Sequence, residues 1–460
     1  MRIKIVNGIV VTAEAMFPAD VLIDGEKIAA IGLNLPENAD EIVDAAGKYI
    51  LPGGVDEHTH FGSFGGLLFD TTAAAAVGGT TTIVDFAPQE PGCGITEAVE
   101  RHAAKAAGNS CVDYAFHSMV MQLQEDIFDQ ITHLPEHGVS GVKMFTAYKG
   151  TPFYMEDESI LRAMMAAKAA GLTMMVHAEN ADIITIETEK LRCERKLEPI
   201  YHAYARPPIA ETEAVRHVIA LAKYAECPLM LMHVSTKGAM EAIRKARDGG
   251  QRVKAETCTQ YLTLDTSFLA KPNFEGAKYV CVPPLRPKEH IEALWQAVAN
   301  GWIDAVSSDH CAVAGGFEAK KRGIDDFSKI PNGIPGVQNR LEVLWAQGVA
   351  TGKITPMQFV NLTATMPAKN IGLRQKGQLL PGFDADVVIF DSHYRGIITQ
   401  EENLEGLDYA TYEGFCKIGR PESVYLRGQL VALNGRFMGK NGEGKRLYAR
   451  PYLSSGRSQF

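Results

Sequence analysis

The residues best suited to chemistry are two histidines, His58 and His60, at the end of the apolar stretch 51–60. Residues two apart on a β-strand point to the same side, so the two imidazoles face the same way. The pair also stands where the strand ends, which is the usual place for a ligand site in a parallel barrel. We interpret the pair as the start of a metal site whose remaining ligands come from later strands.

Further apolar segments end in residues that bind metals, namely His177, His233 and Asp309. If these segments are strands of one parallel barrel, their carboxyl ends meet at one mouth and bring four histidines and an aspartate together. That set of donors suits zinc. One such histidine alone would more often be a hydrogen-bonded core residue, whereas the whole set indicates a metal centre.

Lys143 lies inside the apolar segment 141–147 with no acidic residue beside it. A charged, unpaired lysine there would cost several kcal/mol, and the ordinary explanation is a head group that reaches solvent. Beside the histidines we favour a neutral amine that adds carbon dioxide, because the resulting carbamate offers two oxygens to two metal ions. Two dications carry about +4, and the carbamate, Asp309 and a hydroxide bring the site to roughly +1.

Two more residues could contact a substrate. Tyr148 follows Lys143 by five residues, where its phenol could donate a hydrogen bond to a developing oxyanion or could simply pack. Asn332 lies in the segment 330–335 between two prolines and is by default a turn residue. The residues themselves leave both alternatives open.

The elements that would position these residues follow from the pattern of residues 51–310, where short apolar segments alternate with helix-like stretches such as 160–170 and 291–299. Apolar strands that alternate with helices indicate a parallel sheet, and eight such units over roughly 250–330 residues predict a TIM-type barrel with insertions. The stretch 178–229 is too long for one helix and predicts an additional excursion. The candidate strands are 51–58, 80–86, 113–120, 141–147, 172–178, 229–235, 252–258 and 303–309.

The two ends of the chain have a different pattern, with β-rich segments in residues 1–50 and again after residue 378. Neither end holds enough strands for a core of its own. We therefore predict an α/β protein with a (β/α)8 TIM barrel over residues 51–377 and a small β-sandwich domain built from residues 1–50 and 378–460. The Gly-rich tail from residue 439 onward predicts a mobile arm or a contact between subunits.

Composition excludes several classes of function. With 46 basic and 55 acidic side chains the formal charge is −9, which disfavours a nucleic-acid or anionic-membrane partner. The apolar run at the start is cut short by Asn7 and Gly8, so no signal peptide is indicated, and no apolar stretch reaches transmembrane length. The eight cysteines are scattered singly, which predicts buried thiols and a cytoplasmic location.

The motifs also occur in an order that can be compared with known families. They are Gly54-Val-Asp-Glu-His-Thr-His60, Gly78-Gly-Thr-Thr-Thr-Ile-Val-Asp85, Val142-Lys-Met-Phe-Thr-Ala-Tyr-Lys149, Val176-His-Ala-Glu-Asn180, His233-Val-Ser235, Glu256-Thr-Cys-Thr-Gln-Tyr261, Lys271-Pro-Asn-Phe-Glu-Gly-Ala-Lys-Tyr279, Pro283-Pro-Leu-Arg286, Ser308-Asp-His310 and Pro331-Asn-Gly-Ile-Pro-Gly336. Together they resemble the dihydropyrimidinase/hydantoinase family of the cyclic-amidohydrolase superfamily. The likeness covers nearly the whole chain, and an ordered set of this kind is far more specific than the two histidines alone.

The resemblance implies two Zn²⁺ ions per subunit and a homotetramer or homodimer. The implied ligands are His58, His60 and Asp309 for the first zinc, His177 and His233 for the second, and N6-carboxylated Lys143 as the bridge. A hydroxide between the metals would attack the cyclic amide of a dihydropyrimidine or a 5-substituted hydantoin and give an N-carbamoyl amino acid. Asp309 is then the general base.

The resemblance also assigns substrate contacts. Tyr148 and Asn332 match substrate-binding positions of the family, with Tyr148 stabilising the oxyanion. Val282 stands where the family uses a serine mainly through its backbone, so the backbone contact is expected here without the hydroxyl. Glu57 replaces a more common proline, and the sequence indicates no consequence of this change.

Specificity for the substituent on the ring is expected from apolar loops. The segment 61–68 with Leu67, the residue Phe145 and the segment 151–154 with Phe153 resemble the apolar loops with this role in hydantoinases. We therefore hypothesise an apolar pocket that accepts aryl or alkyl substituents.

Three alternatives compete with this interpretation. A dihydroorotase or allantoinase would carry an arginine shortly after the two histidines, and no arginine occurs here between His60 and Arg101. A non-catalytic scaffold such as the collapsin-response paralogues would lack most of the metal ligands, which are all present. The third is a specialised cyclic-amide hydrolase with a different natural substrate.

Overall fold

The computed structural model describes residues 1–36 and 38–450. The first strands are β1 (Arg2–Val6), β2 (Ile9–Val11), β3 (Met16–Pro18), β4 (Asp20–Asp24), β5 (Lys27–Gly32), β6 (Glu41–Asp44) and β7 (Tyr49–Pro52). The next are β8 (Gly54–Thr59), β9 (Thr80–Pro88), β10 (Asp113–Met119), β11 (Gly141–Phe145), β12 (Thr173–His177), β13 (Leu229–Leu231), β14 (Val253–Cys258) and β15 (Ala305–Ser307). The last are β16 (Val387–Ile397), β17 (Cys416–Leu426), β18 (Gln429–Leu433) and β19 (Arg436–Phe437).

Helices lie mainly between the strands of the middle group. They are α1 (Ala73–Val77), α2 (Ile95–Ala106), α3 (Ile127–His133), α4 (Asp157–Ala170), α5 (Ala181–Cys193), α6 (Tyr201–Ala205), α7 (Pro208–Ala225), α8 (Lys237–Asp248), α9 (Thr259–Thr263), α10 (Lys288–Ala299), α11 (Gly316–Lys320), α12 (Arg340–Leu344), α13 (Pro356–Val360) and α14 (Met366–Ile371). The sequence patterns at 160–170 and 291–299 fall within α4 and α10, as predicted. Helices α5, α6 and α7 form the predicted excursion between β12 and β13.

Strands β8 to β15 form one parallel sheet in sequence order. The sheet closes on itself, because Thr59 pairs with His310 in parallel and the His60 amide donates to the His310 carbonyl at 2.8 Å. All eight strands overlap the predicted segments, so the predicted barrel is confirmed. Most of their residues are buried on both faces, which explains the nearly continuous apolar runs in the sequence.

The two ends of the chain meet in a second body made of two sheets. One sheet has the strand order β5-β4-β1-β6 and the other β19-β18-β17-β16-β7-β2-β3. Residues from both ends share the core between them, including Ile3, Ile5 and Val21 from the start of the chain and Val387 and Ile389 from its end. The predicted β-sandwich built from both termini is therefore confirmed.

The sequence predicts a mobile arm or a contact between subunits for the segment 439–450. The structure differs from the first alternative, and the second stays a prediction. The segment runs along the barrel of its own chain, where the Leu447 amide donates to the Tyr114 carbonyl at 2.7 Å and Arg446 pairs with Glu100 at 2.6 Å. Leu447 and Ala449 pack with Val55 at the end of the barrel opposite the histidines. These long-range contacts leave no signature in a Gly-rich sequence. Residues 451–460 of the predicted arm lie outside the described residues.

Two predictions from composition can be compared with the structure. In the described ranges, no helix combines the length and the apolar character needed to cross a membrane. All cysteines are free thiols, but Cys193 and Cys416 are exposed, so the prediction of buried thiols is wrong for these two.

Candidate metal centre and active site

A cavity of about 330 Å³ opens at the carboxyl ends of the barrel strands. The predicted residues on its wall are His60, Lys143, Phe145, Tyr148, Phe153, His177, His233, Val282, Asp309 and Asn332. The structure therefore brings almost every predicted site residue to one place. His58 is fully buried and contacts His60 and Lys143 from behind the wall, whereas Leu67 does not line the cavity.

The first donor cluster consists of His58, His60 and Asp309. The Nε2 atoms of His58 and His60 lie 3.2 Å apart, and Asp309 Oδ1 lies 3.1 Å from His58 Nε2 and 3.4 Å from His60 Nε2. Burial lowers the pKa of both histidines. Burial alone would raise the pKa of Asp309, but His58 and His60 outweigh it and lower the pKa to about 2. These groups are spaced like ligands around one cation.

The second cluster consists of His177 and His233, whose Nδ1 and Nε2 atoms lie 3.0 Å apart. The other ring nitrogen of His177 faces the Glu179 carboxylate at 2.9 Å, so it carries the proton and leaves Nδ1 as a bare lone pair. The Nδ1 atom of His233 is buried and has no hydrogen-bond partner among the residues that the structure describes. Two imidazoles that face each other in this way are better suited to binding one cation together than to contacting each other directly.

Lys143 lies between the two clusters. Its Nζ atom is 3.1 Å from His58 Nε2 and 4.2 Å from the centre of the Phe86 ring. The side chain is 2% exposed, and no carboxylate in the part of the chain described here lies within ion-pair distance. Burial lowers the pKa of the amine, which favours the neutral form that can react with carbon dioxide. The residues present thus fit a pair of metal ions with a carbamate between them.

Carboxylates that the sequence analysis missed stand behind the histidines. Glu256 accepts from His58 Nδ1 at 3.0 Å and from the His233 backbone amide at 3.1 Å. Glu179 holds His177 and is itself paired with Arg206 at 2.6 Å. Such partners fix the tautomer and orientation of metal-binding histidines. The available signal was an acidic residue within an apolar strand, which is visible at Glu256.

The backbone turns sharply at three of the predicted site residues. Tyr148, His233 and Asp309 have φ angles of 66°, 38° and 49°, in the left-handed region that side chains rarely adopt. Each follows the end of a barrel strand, so the turn directs the side chain toward the barrel mouth. Conformations of this kind cost about 1–3 kcal/mol each and collect at functional sites.

Tyr148 is held between two kinds of neighbour. The Arg206 guanidinium lies 5.4 Å from its ring centre, and Phe145 and Phe153 contact the ring from the cavity side. Burial raises the pKa of the phenol. The hydroxyl therefore stays protonated in the neutral range and remains a hydrogen-bond donor.

Comparison with known proteins shows the family to which the chain belongs. The model of the amidohydrolase family matches residues 49–431, which include the barrel and parts of both sandwich segments. The chain belongs to the amidohydrolase family. The D-hydantoinase of Geobacillus stearothermophilus is 43% identical over 455 residues, covering 97% of this chain and 96% of that protein. The D-hydantoinase of Ralstonia pickettii is 42% identical and covers 98% and 100%.

Solved structures agree with the amidohydrolase assignment. The crystal structure of dihydropyrimidinase from Brevibacillus agri matches with a TM-score of 0.94 at 42% identity, covering 98% of this chain and 99% of that one. The predicted dihydropyrimidinase/hydantoinase family is therefore confirmed, and so is the prediction of an enzyme. The family is metal-dependent, and His58, His60 and Asp309 form its candidate metal site here.

The loop after β8 lies in the segment 61–68, which the sequence predicts to set specificity for the substituent, and the structure shows which of its residues face the cavity. Phe64 lines the cavity, 5.6 Å from the Phe153 ring, whereas Leu67 packs against Ala312 and Leu407. A turn in which the Gly66 amide donates to the Ser63 carbonyl reverses the chain between the two positions. Leu67 therefore lies away from the cavity wall, and Phe64, from the same predicted segment, lines the cavity instead.

Proposed function

We propose that this amidohydrolase opens the cyclic amide bond of dihydropyrimidines and 5-substituted hydantoins and releases N-carbamoyl amino acids. The observation that supports the proposal most directly is the convergence of two histidine pairs, Lys143 and Asp309 at the barrel mouth. Relatives at 42–43% identity over nearly the whole chain are D-hydantoinases. Water adds to the ring carbonyl, and the carbon–nitrogen bond of the ring breaks.

The cofactor that fits is a pair of Zn²⁺ ions. His58, His60 and Asp309 would hold one ion, His177 and His233 the other, and N6-carboxylated Lys143 both. When bound, such a pair acts as a Lewis acid toward the amide carbonyl and activates water at neutral pH. All other steps fall to side chains and backbone groups of this chain.

Asp309 is the proposed general base. Its lowered pKa of about 2 keeps the carboxylate ionised at neutral pH, so it can accept the proton of the attacking water. The same carboxyl then returns that proton to the ring nitrogen as the carbon–nitrogen bond breaks. The nitrogen leaves as part of the carbamoyl group, and the attacked carbon becomes a carboxylate.

Tyr148, Val282 and Asn332 would orient the ring of the substrate. The protonated Tyr148 hydroxyl is available to donate to the oxygen that gains negative charge. Val282 and Asn332 also line the cavity and would bind the ring through their backbone groups. The rings of Phe64, Phe145 and Phe153 leave an apolar space for an aryl or alkyl substituent.

One observation favours a second candidate, an enzyme of the dihydroorotase or allantoinase type. Arg322 lines the same cavity and could hold an anionic or ureido group. It lies far along the chain from the position at which those families carry their arginine, so the sequence argument did not include it. Turnover of dihydroorotate above that of dihydrouracil would favour this second function.

The decisive experiment combines metal analysis with a substrate panel. Purified protein is expected to contain about two zinc ions per subunit and to hydrolyse dihydrouracil, hydantoin and phenylhydantoin faster than allantoin and dihydroorotate. Asp309→Asn is expected to lower turnover by about 10²- to 10⁴-fold. Bound zinc without hydrolysis of any cyclic ureide or imide would contradict the proposal and favour a scaffold protein.

We also infer a cytoplasmic location and an oligomeric assembly for the enzyme. All its cysteines are free thiols, which suits the reducing cytoplasm. The family resemblance supports a homotetramer or homodimer, and a small-molecule substrate without nucleic-acid or membrane partners. Size-exclusion chromatography with light scattering would measure the assembly directly.

A further inference from the structure

Lys320 is a fully buried lysine outside the metal centre. It is the last residue of α11, and its Nζ atom donates to the carbonyl oxygens of Val280, Pro331 and Gly333 at 3.2, 2.6 and 2.6 Å. An ammonium group has three N–H donors, and here each has a backbone acceptor. Within residues 1–36 and 38–450, no carboxylate lies within ion-pair distance of it.

A buried cation without a counter-ion is costly, so its retention needs a reason. Burial lowers the pKa of the Lys320 amine to about 8, which still leaves the ammonium form in the majority at neutral pH. The three short contacts therefore describe the ionised side chain. Hydrogen bonds from an ionised donor are about twice as strong as neutral ones.

The carbonyls that Lys320 binds belong to two chain segments, 280–283 and 331–333. The segments also touch directly, because the Gly333 amide donates to the Val280 carbonyl at 3.1 Å. The first segment is held further by His202, which donates to the Cys281 carbonyl at 2.9 Å, and by Tyr261, which donates to the Pro283 carbonyl at 2.7 Å. Both segments are thus fixed through residues on either side of Val282 and Asn332.

Within the described part of the chain, the backbone groups of Val282 and Asn332 themselves are not held by hydrogen bonds in this way. Both line the cavity, and their backbone amide and carbonyl groups have no hydrogen-bond partner among the residues that the structure describes. The backbone groups next to them are tied, while theirs remain free for a ligand. A cyclic ureide offers alternating N–H donors and carbonyl acceptors, which are the complement of free backbone groups.

We propose that Lys320 is a positioning residue that fixes the spacing between Val282 and Asn332, so that the free backbone groups of both segments bind the ureide edge of the substrate ring together. The inference rests on the proposed function. Lys320 would thus affect binding of the ring through the backbone groups of Val282 and Asn332, without contacting the substrate itself. Ring binding is thereby separated from binding of the substituent, which the aromatic wall performs.

The test replaces Lys320 by methionine, which fills similar space without donors. Because the loss affects the ring and not the substituent, KM is expected to rise about tenfold or more, by the same factor for dihydrouracil and phenylhydantoin, with kcat changed less than threefold. Lys321→Met is the matched control, since Lys321 is an exposed neighbour that pairs with Glu318 at 2.7 Å. It is expected to leave both constants unchanged.

Zinc content and melting temperature are measured for each variant to separate positioning from folding. Lys320→Gln retains two N–H donors and is expected to give an intermediate KM, so it carries the test if the methionine variant does not fold. Unchanged KM in either variant, or a change confined to one substrate, would overturn the inference alone. An inactive wild-type protein would overturn the proposed function and this inference with it.

Discussion

The Nδ1 atom of His58 lies 3.0 Å from Oε2 of Glu256, inside the barrel and below the metal site. Since this nitrogen faces a carboxylate, the opposite nitrogen of the ring is left as a lone pair that points to His60 and Asp309. Glu256 also accepts from the backbone of His233, which belongs to the other donor cluster. One buried carboxylate thus orients groups on both sides of the site.

We expect Glu256→Ala to weaken metal binding about 10- to 100-fold, the usual effect of removing the partner of a metal-binding histidine. Glu256→Gln keeps an acceptor for His58 and should lose less. Competition with a chromogenic chelator measures the affinity without reference to turnover. Glu342→Gln is a suitable control, because Glu342 is also buried but pairs with Lys417 in another part of the chain.

The proposed carboxylation of Lys143 can be tested separately from metal binding. Lys143→Ala should lose the bridge between the two donor clusters and most of the activity, while the barrel keeps its fold. A short carboxylic acid such as propionate fits the space of the missing side chain and is expected to restore part of both metal binding and turnover. In the wild-type protein, carbon-13 bicarbonate should give a carbamate resonance that the variant lacks.

If propionate has no effect and no carbamate resonance is found in metal-loaded wild-type protein, Lys143 does not act through a carboxylate. In that case its place beside His58 would need another explanation. Propionamide, which has the shape of propionate without the charge, serves as the control for nonspecific effects of the additive.

The barrel could be predicted from the sequence because its strands are local patterns, and so could the pair of His58 and His60 that opens the candidate metal site. Each apolar strand is visible on its own, and the spacing of His58 and His60 is two residues. The partner of His58 could not be predicted from a local pattern, because Glu256 lies 198 residues further along the chain. Phe64 and Leu67 show a second limit of sequence-based prediction, because a turn between them decides which one faces the cavity.

These two loop residues allow a test of the substituent pocket. We expect Phe64→Ala and Phe153→Ala to lower the ratio of phenylhydantoin to dihydrouracil turnover about tenfold, because each removes an aromatic wall from the space beside the ring. Leu67→Ala, in the same loop but packed against Leu407, should leave this ratio unchanged. A change with Leu67→Ala as large as that with Phe64→Ala would contradict the placement of the loop.

Buried ion pairs of Lys376 form a joint between the barrel and the sandwich. The Lys376 ammonium, 3% exposed, lies 2.6 Å from Asp113 at the start of β10 and 2.8 Å from Asp386, which precedes β16. It also lies 3.0 Å from Asp384. The three carboxylates and Lys376 thus join the first residues of a barrel strand to the second half of the sandwich.

We expect Lys376→Met to lower the free energy of unfolding by about 3–5 kcal/mol, since it leaves buried carboxylates without their cation. Lys27→Met is the control, because Lys27 pairs with Asp384 at 2.6 Å but is 41% exposed and should contribute less than about 1 kcal/mol. Melting temperatures of the metal-free proteins measure both effects. A loss in Lys376→Met no larger than that in Lys27→Met would show that the joint does not depend on this cation.

The loss of stability caused by Lys376→Met is expected to depend on pH. Burial alone would raise the pKa of Asp384, but Lys376 and Lys27 outweigh it and hold the pKa below its usual value. The stability from this ionised group is present above the pKa of the unfolded chain, near 4, and is lost as pH falls through the lowered value. The gap in melting temperature between the wild-type protein and Lys376→Met should therefore be largest near neutral pH and narrow below about pH 4. A gap that widens on acidification would mean that the carboxylates at the joint are protonated in the folded protein and that Lys376 stabilises it in another way.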